Sequence, residues 1–274
     1  MFILLKFFKF IGYKLSSDIG ATIFKLLGPL FRSKKVINEN LNKLIKFNSS
    51  VNIKELKKSV WGNYGRIFAE YSYLQDFRNR KLDNYIRLEG KEVLNNIKKS
   101  KKPVIFISGH FSNFELLAMH IEMSGISLAT LYRPLNNQYL DKVMVDLRKK
   151  NICRHQVKKG LPGVKSMLNH FRKGTSIALM IDQRVSEGDK IKFFNHYAYT
   201  TTIPSQFVKK FNCQIVPVFI KRVDNHYFNI KFEKPLQFSN KDTNEFITQK
   251  LNHWLEEKIL EVPYQWIWTH DRWK

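Results

Sequence analysis

His110 stands directly after a buried-strand pattern and a glycine, and a carboxylate, Glu115, follows five residues on. The run is Ser108-Gly109-His110-Phe111-Ser112-Asn113-Phe114-Glu115. An imidazole so placed can take a proton near neutral pH, and a carboxylate can fix its tautomer and offset the imidazolium that forms. The bland alternative is a helix-capping turn with a solvated Glu, because an H-x4-E match on its own is common. Position favours chemistry: in open α/β sheets ligands sit outside the carboxyl ends of the strands. Other catalytic patterns are missing. Gly174-Thr-Ser176-Ile-Ala178 lacks the second glycine of a nucleophile elbow, and no HExxH, Walker A or GxGxxG occurs. The two cysteines, Cys153 and Cys213, are far apart, which excludes a cysteine-ligated zinc site and a disulfide scaffold and fits a reducing compartment. His120, His155, His170, His196 and His226 are scattered and read as surface or core residues. No metal and no cofactor is implied.

The elements that must carry this motif are legible as alternation. Pro103–Ser108 is a continuous apolar run closed by Gly109, as a buried strand would be. Helical spacing follows over 114–123, then a strand over 126–132 and a helix over 137–150. A helix over 163–172, a strand over 176–181, a helix over 203–211 and a strand over 214–220 continue the series. A fifth strand, 227–232, reads as antiparallel, and 243–260 is a long final helix. Residues 35–75 read as helical and 88–99 as a short helix. The pattern predicts an α/β fold with a mixed, mostly parallel central sheet flanked by helices. Residues 35–274 form one such domain, preceded by a membrane-associated helical segment over 1–34.

That segment is apolar but broken by Lys6, Lys9, Lys14, Asp18 and Lys25, so it holds no span of about 20 uncharged residues. At helical spacing Leu4, Phe7, Phe8, Ile11 and Leu15 share one face, with Lys6, Lys9 and Lys14 on the other. This predicts an interfacial helix with lysines toward anionic headgroups. The competing readings are a helix docked on the protein's own core and a short transmembrane anchor. The whole chain of 274 residues carries a net charge of +24, which calls for anionic company. The densest runs are Lys98-Lys99-Ser100-Lys101-Lys102 and Lys158-Lys159; such runs are usually solvated faces. Nucleic-acid binding is excluded, since no helix-turn-helix, zinc-finger or RNP-type pattern is present.

The segment GHFSNFE resembles the H-x4-D/E motif of the glycerolipid-type acyltransferase superfamily. The chain as a whole is similar to the lipid A biosynthesis acyltransferases, the late lauroyl/myristoyl-type enzymes of Gram-negative bacteria. Trp61-Gly-Asn-Tyr-Gly-Arg-Ile-Phe-Ala-Glu70 resembles that family's N-terminal helix signature. Tyr132-Arg133-Pro134 follows the second strand, Ile181-Asp182-Gln183 ends the third, and Phe193-Phe194 and Thr200, Thr201 and Thr202 come after. Pro263–His270 and Arg272-Trp273-Lys274 resemble the closing segment. Arg184 after Asp182-Gln183 departs from the usual small or acidic residue, which bears on the acceptor.

The resemblance implies transfer of an acyl group from a thioester on acyl carrier protein, or on coenzyme A, to a hydroxyl of a lipid A precursor. It implies His110 as general base, with Glu115 holding its tautomer. Arg148, fourteen residues after Pro134, and Asp182 carry over as supporting residues, with Arg133, Asn113 and Gln183. Arg133 would bind a phosphate or support its loop. Phe111, Phe114 and Phe207 are candidates to line an acyl tunnel. The basic charge fits acyl carrier protein, a phosphorylated glycolipid acceptor and an anionic membrane surface. The implied location is the cytoplasmic face of a bacterial inner membrane. The rivals are an acyltransferase for another glycolipid or a phospholipid, a thioesterase, and a non-catalytic membrane-binding protein.

Overall fold

The computed structural model describes residues 2–30, 33–47 and 52–274; of the N-terminal segment, residues 1, 31 and 32 lie outside the described set. The strands are β1 (Ile86–Glu89), β2 (Ile105–Ser108), β3 (Leu128–Tyr132), β4 (His155–Lys158), β5 (Ser176–Met180), β6 (Asp189–Phe193), β7 (His196–Thr200), β8 (Ile215–Val223) and β9 (Tyr227–Phe232). The helices are α1 (Phe2–Phe10), α2 (Tyr13–Leu27), α3 (Lys34–Ile45), α4 (Ile53–Glu70), α5 (Leu74–Arg78), α6 (Lys91–Ser100), α7 (Glu115–Met123), α8 (Gln138–Asn151), α9 (Leu161–Arg172), α10 (Ile203–Phe211) and α11 (Asn244–Glu261).

Seven strands form one sheet in the order β1-β9-β8-β2-β5-β3-β4, and β6 and β7 form a separate hairpin. Only the β8–β9 pairing in the large sheet is antiparallel. The mixed, mostly parallel sheet is therefore the one the alternation predicts. Central β2 is buried along its whole length, which explains its unbroken apolar run. The steps β2–α7–β3 and β3–α8–β4 move outward and β4–α9–β5 returns. Right-handed crossovers thus put α7 and α8 on one face and α9 on the other. The Phe171 ring of α9 meets Phe207 of α10 at 5.2 Å on that second face.

The predicted N-terminal helix is in fact two. Gly12 (φ +88°) takes a left-handed conformation and breaks the run. Past it, α2 packs on α4 at a glycine crossing: a Cβ on Gly20 would lie 2.4 Å from the Gly65 carbonyl oxygen. The predicted apolar face is corrected too. Phe8 turns inward and is 1% exposed, whereas Ile3, Phe7 and Phe10, an i, i+4, i+7 stripe, are 86%, 48% and 89% exposed. The segment docks on the core by one side and keeps an apolar stripe on the other. No helix among the described residues is long and apolar enough to cross a membrane.

Candidate active site

Strand register builds the site. Ser108 of β2 pairs with Met180 of β5, and the Ile181 N–H donates to the Ser108 carbonyl at 2.9 Å. Two residues further on each chain, His110 and Asp182 therefore face one another just beyond the sheet. His110 Nδ1 lies 2.7 Å from Asp182 Oδ1, and its backbone N–H donates to Oδ2 at 2.5 Å. The Trp266 indole N–H donates to the same Oδ2 at 2.9 Å. A carboxylate only accepts, so Nδ1 carries the ring proton and the Nε2 lone pair is free to act as a base. Among the described residues Nε2 has no partner, and His110 opens onto a cavity of about 1290 Å³. Burial alone would raise the Asp182 carboxyl. The His110 ring, its backbone N–H and the Trp266 N–H outweigh this and hold it below the usual carboxylate range.

Asp182, not Glu115, thus orients His110, and this corrects the reading from the motif. Glu115 is the first residue of α7, and α7 aims it at α8. There it accepts from Arg148 Nε at 2.9 Å and from Nη2 at 2.6 Å, and from the Tyr71 hydroxyl. Burial would lower the Arg148 guanidinium, but Glu115 and Tyr71 outweigh it and keep it firmly charged. Burial, then the Glu115 charge, raises the Tyr71 phenol, which stays protonated as a donor. Glu115 and Arg148 both line the cavity with His110. The motif's two ends therefore face one cavity in different ways: an imidazole with a free Nε2 at one, the carboxylate that anchors Arg148 at the other.

Asn113 is a second correction. It does not line the cavity; it is fully buried and donates to Glu70 Oε2 at 3.0 Å. Its neighbour Ser112 has a left-handed backbone (φ +45°), and the Ser112 N–H donates to the Gln265 carbonyl at 3.0 Å. The loop after β2 is thereby clamped from α4 and from the chain's closing segment. Glu70 also receives both terminal nitrogens of Arg222, Nη2 at 3.1 Å, and the Ser17 hydroxyl at 3.2 Å. Arg133 and Gln183 line the cavity.

The cavity lining runs from the carboxyl ends of the strands, at Ser108, Met180 and Tyr132, to Phe106, Ala178 and Thr130 one pleat earlier. Ala118 and Ile121 of α7 and Ile152 continue it. Of the three phenylalanines proposed for a tunnel, only Phe114 contributes, its ring 4.6 Å from the His110 ring. Phe111 packs against Phe219 and Phe207 against Phe171, inside the core. Thr201 and Thr202, which the resemblance includes without a role, and Gln206, which it does not name, add polar groups to the lining. His270 is another. Burial pushes its imidazole down to about 4, and its Nε2 accepts the Arg184 N–H at 2.9 Å. Among the described residues no group of three or more His, Cys, Asp or Glu could hold a metal.

A family model described as bacterial lipid A biosynthesis acyltransferase matches residues 1–274. The chain belongs to that family. The relatives it is similar to are distant. A "lipid A biosynthesis acyltransferase 2" of Shigella flexneri is 23% identical over 194 residues, covering 69% of this chain and 61% of the relative. A "lipid A biosynthesis palmitoleoyltransferase" of Escherichia coli is 19% identical over 267 residues, covering 96% of this chain and 86% of the relative. A "lipid A biosynthesis myristoyltransferase" of the same organism is 21% identical over 191 residues, covering 69% and 58%. The chain thus spans less than two thirds of the length of two of these three. Among solved structures, the 1-acyl-sn-glycerophosphate acyltransferase PlsC of Thermotoga maritima aligns over 93% of this chain and all of its own, with 12% identity and a TM-score of 0.46.

Proposed function

We propose that this family member is a membrane-associated O-acyltransferase. It moves a fatty acyl chain from a thioester on acyl carrier protein to a hydroxyl of a lipid A precursor. The observation that carries the reading is the His110–Asp182 pair opening onto a cavity whose deeper lining is apolar. His110 Nε2 takes the acceptor hydroxyl proton as that oxygen attacks the thioester carbonyl. The new C–O bond gives a tetrahedral oxyanion, and Arg148, held by Glu115, is the fixed cation at the cavity wall that favours it. Collapse breaks the C–S bond, and the thiolate takes the proton back from the imidazolium. Asp182 stays ionised throughout.

The first experiment is mass spectrometry of a reaction holding the purified protein, mixed acyl-acyl carrier proteins and a tetraacylated, Kdo-bearing lipid A precursor. The expected product is heavier by one acyl group. An intact thioester with no mass gain would move the acceptor to another glycolipid or a phospholipid. Free fatty acid in its place would make the protein a thioesterase.

The site works at a membrane on the cytoplasmic side, where such donors are found. The exposed Ile3, Phe7 and Phe10 stripe supports contact with lipid, and Leu26, Leu27 and Leu30 add to it. Burying one Phe side chain is worth roughly 1.5–3 kcal/mol. The double variant Phe7→Asp/Phe10→Asp should then lose at least about a hundredfold in affinity for anionic vesicles in a flotation assay. Undiminished flotation would place the membrane contact elsewhere.

A further inference from the structure

Beside the catalytic cavity, on the outer edge of the sheet, lies a second cavity of about 620 Å³. Lys149, Arg154, His155, Lys158, Lys159 and His170 line it, and no carboxylate does. In sequence Lys158-Lys159 reads as a solvated run. In the fold it meets Lys149 from the end of α8 and Arg154 from the turn before β4. None of these four cations forms an ion pair among the described residues, although Arg148 and Arg78 nearby in the fold both do. The His155 and His170 rings stand 4.7 Å apart in the same wall.

The two cavities adjoin. Lys159 and Gln156 line both, and the Lys159 N–H donates to the Tyr132 carbonyl at 2.8 Å, at the mouth of the catalytic one. Lys158 pairs with Tyr132 across β3 and β4, and Ser108 pairs with Met180 across β2 and β5. Carried through the β3–β5 register, these four residues share one level of the sheet. The basic edge is thus three strand spacings, about 14 Å, from the strand that delivers His110. That span suits a long flexible arm reaching in from a bulky carrier.

We infer that this basic cleft is the docking surface for the acidic acyl carrier protein, whose phosphopantetheine arm passes Lys159 to present the thioester to His110. The inference rests on the proposed acyl transfer and names the partner's place on the protein. The lining shared with the catalytic cavity, through Gln156 and Lys159, argues for the carrier of the thioester here. The apolar N-terminal stripe belongs to α1, whose Phe8 carbonyl accepts from the Tyr73 hydroxyl at 2.6 Å, and no residue of α1 or α2 lines the cleft. Leu161, beside the cleft, is exposed and offers a protein partner an apolar contact.

The test uses the full chain and the double variant Arg154→Glu/Lys158→Glu, two residues that line only the basic cleft. Each protein is assayed with one acyl group on two donors, acyl carrier protein and free pantetheine, and carrier binding is measured by fluorescence anisotropy. Charged docking residues act chiefly on association and its salt dependence. The variant should bind the carrier at least tenfold more weakly and show a KM for carrier-borne donor raised at least tenfold. Its rate with acyl-pantetheine should be unchanged, and wild-type carrier affinity should fall as salt rises. Unchanged carrier affinity would overturn the inference, as would an equal loss with both donors. Loss of vesicle binding in place of carrier binding would reassign the cleft to anionic lipid. If wild type bound the carrier but transferred no acyl group, docking would stand and the proposed reaction would fall.

Discussion

Asp182→Asn should lower kcat by about 10²–10⁴-fold, close to the loss from His110→Ala, with the fold and membrane binding kept. The reason lies in which donors are fixed. The His110 backbone N–H and the Trp266 indole N–H both point at one carboxylate oxygen, and neither can turn into an acceptor. In the Asn variant the amide oxygen must stay on their side. The amide NH₂ is then left facing His110 Nδ1, which has to become the acceptor. The ring proton moves to Nε2, and the base loses its lone pair toward the cavity. Geometry survives and function does not. Glu115→Gln is the control. Gln can still accept from Tyr71 and Arg148 while losing the charge that anchors the guanidinium, so a smaller drop is expected. Steady-state kinetics on the three variants, with thermal melts alongside, decide the matter. Near-wild-type turnover in Asp182→Asn with a dead Glu115→Gln would return the orienting role to Glu115.

That reversal of roles shows what a sequence can carry. His110 was legible because a buried strand announces itself as an unbroken apolar run, and the residue after its closing glycine sits where ligands bind. Its partner lies 72 residues away, because sheet register, not chain spacing, brings β2 and β5 together. The same limit explains the missed elements. Ile86–Glu89 alternates apolar and charged residues, and His155–Lys158 has one apolar residue, Val157, so no apolar run marks either edge strand. The expected helix over 88–99 is a strand to Glu89 and a helix from Lys91, separated by Gly90 at φ +77°. Where local chemistry decides, sequence and structure agree: α10 runs over 203–211 as the spacing predicts, and α11 begins one residue after Thr243, whose hydroxyl caps it. Asn113 misled because a polar residue in a motif invites a substrate role, whereas burial against a charge several elements away gives it a structural one.

Glu70 is the charge in question, and removing it should be costly. Its carboxylate is fully buried and Arg222 nearly so. Burying the pair is weak evidence of stability in itself, since desolvation offsets the attraction, but leaving one partner alone is penalised by roughly 3–5 kcal/mol. Glu70→Ala strands the Arg222 guanidinium and also takes the acceptor from Asn113 and Ser17. Against a total stability of about 5–15 kcal/mol, a fall in Tm of roughly 6–20 °C is expected. The double variant Glu70→Met/Arg222→Met should regain much of that, because two apolar side chains of similar size need no partners. Activity should not return with it. Asn113 still lacks its acceptor, so the loop from Gly109 to Glu115 stays loose, and a small misplacement of the base is enough to slow transfer about a hundredfold. Melting curves and kcat on the single and double variants separate the two effects. A Tm within about 2 °C of wild type for Glu70→Ala would mean the network costs as much to bury as it returns, and full activity in the double variant would free Asn113 of any part in holding His110.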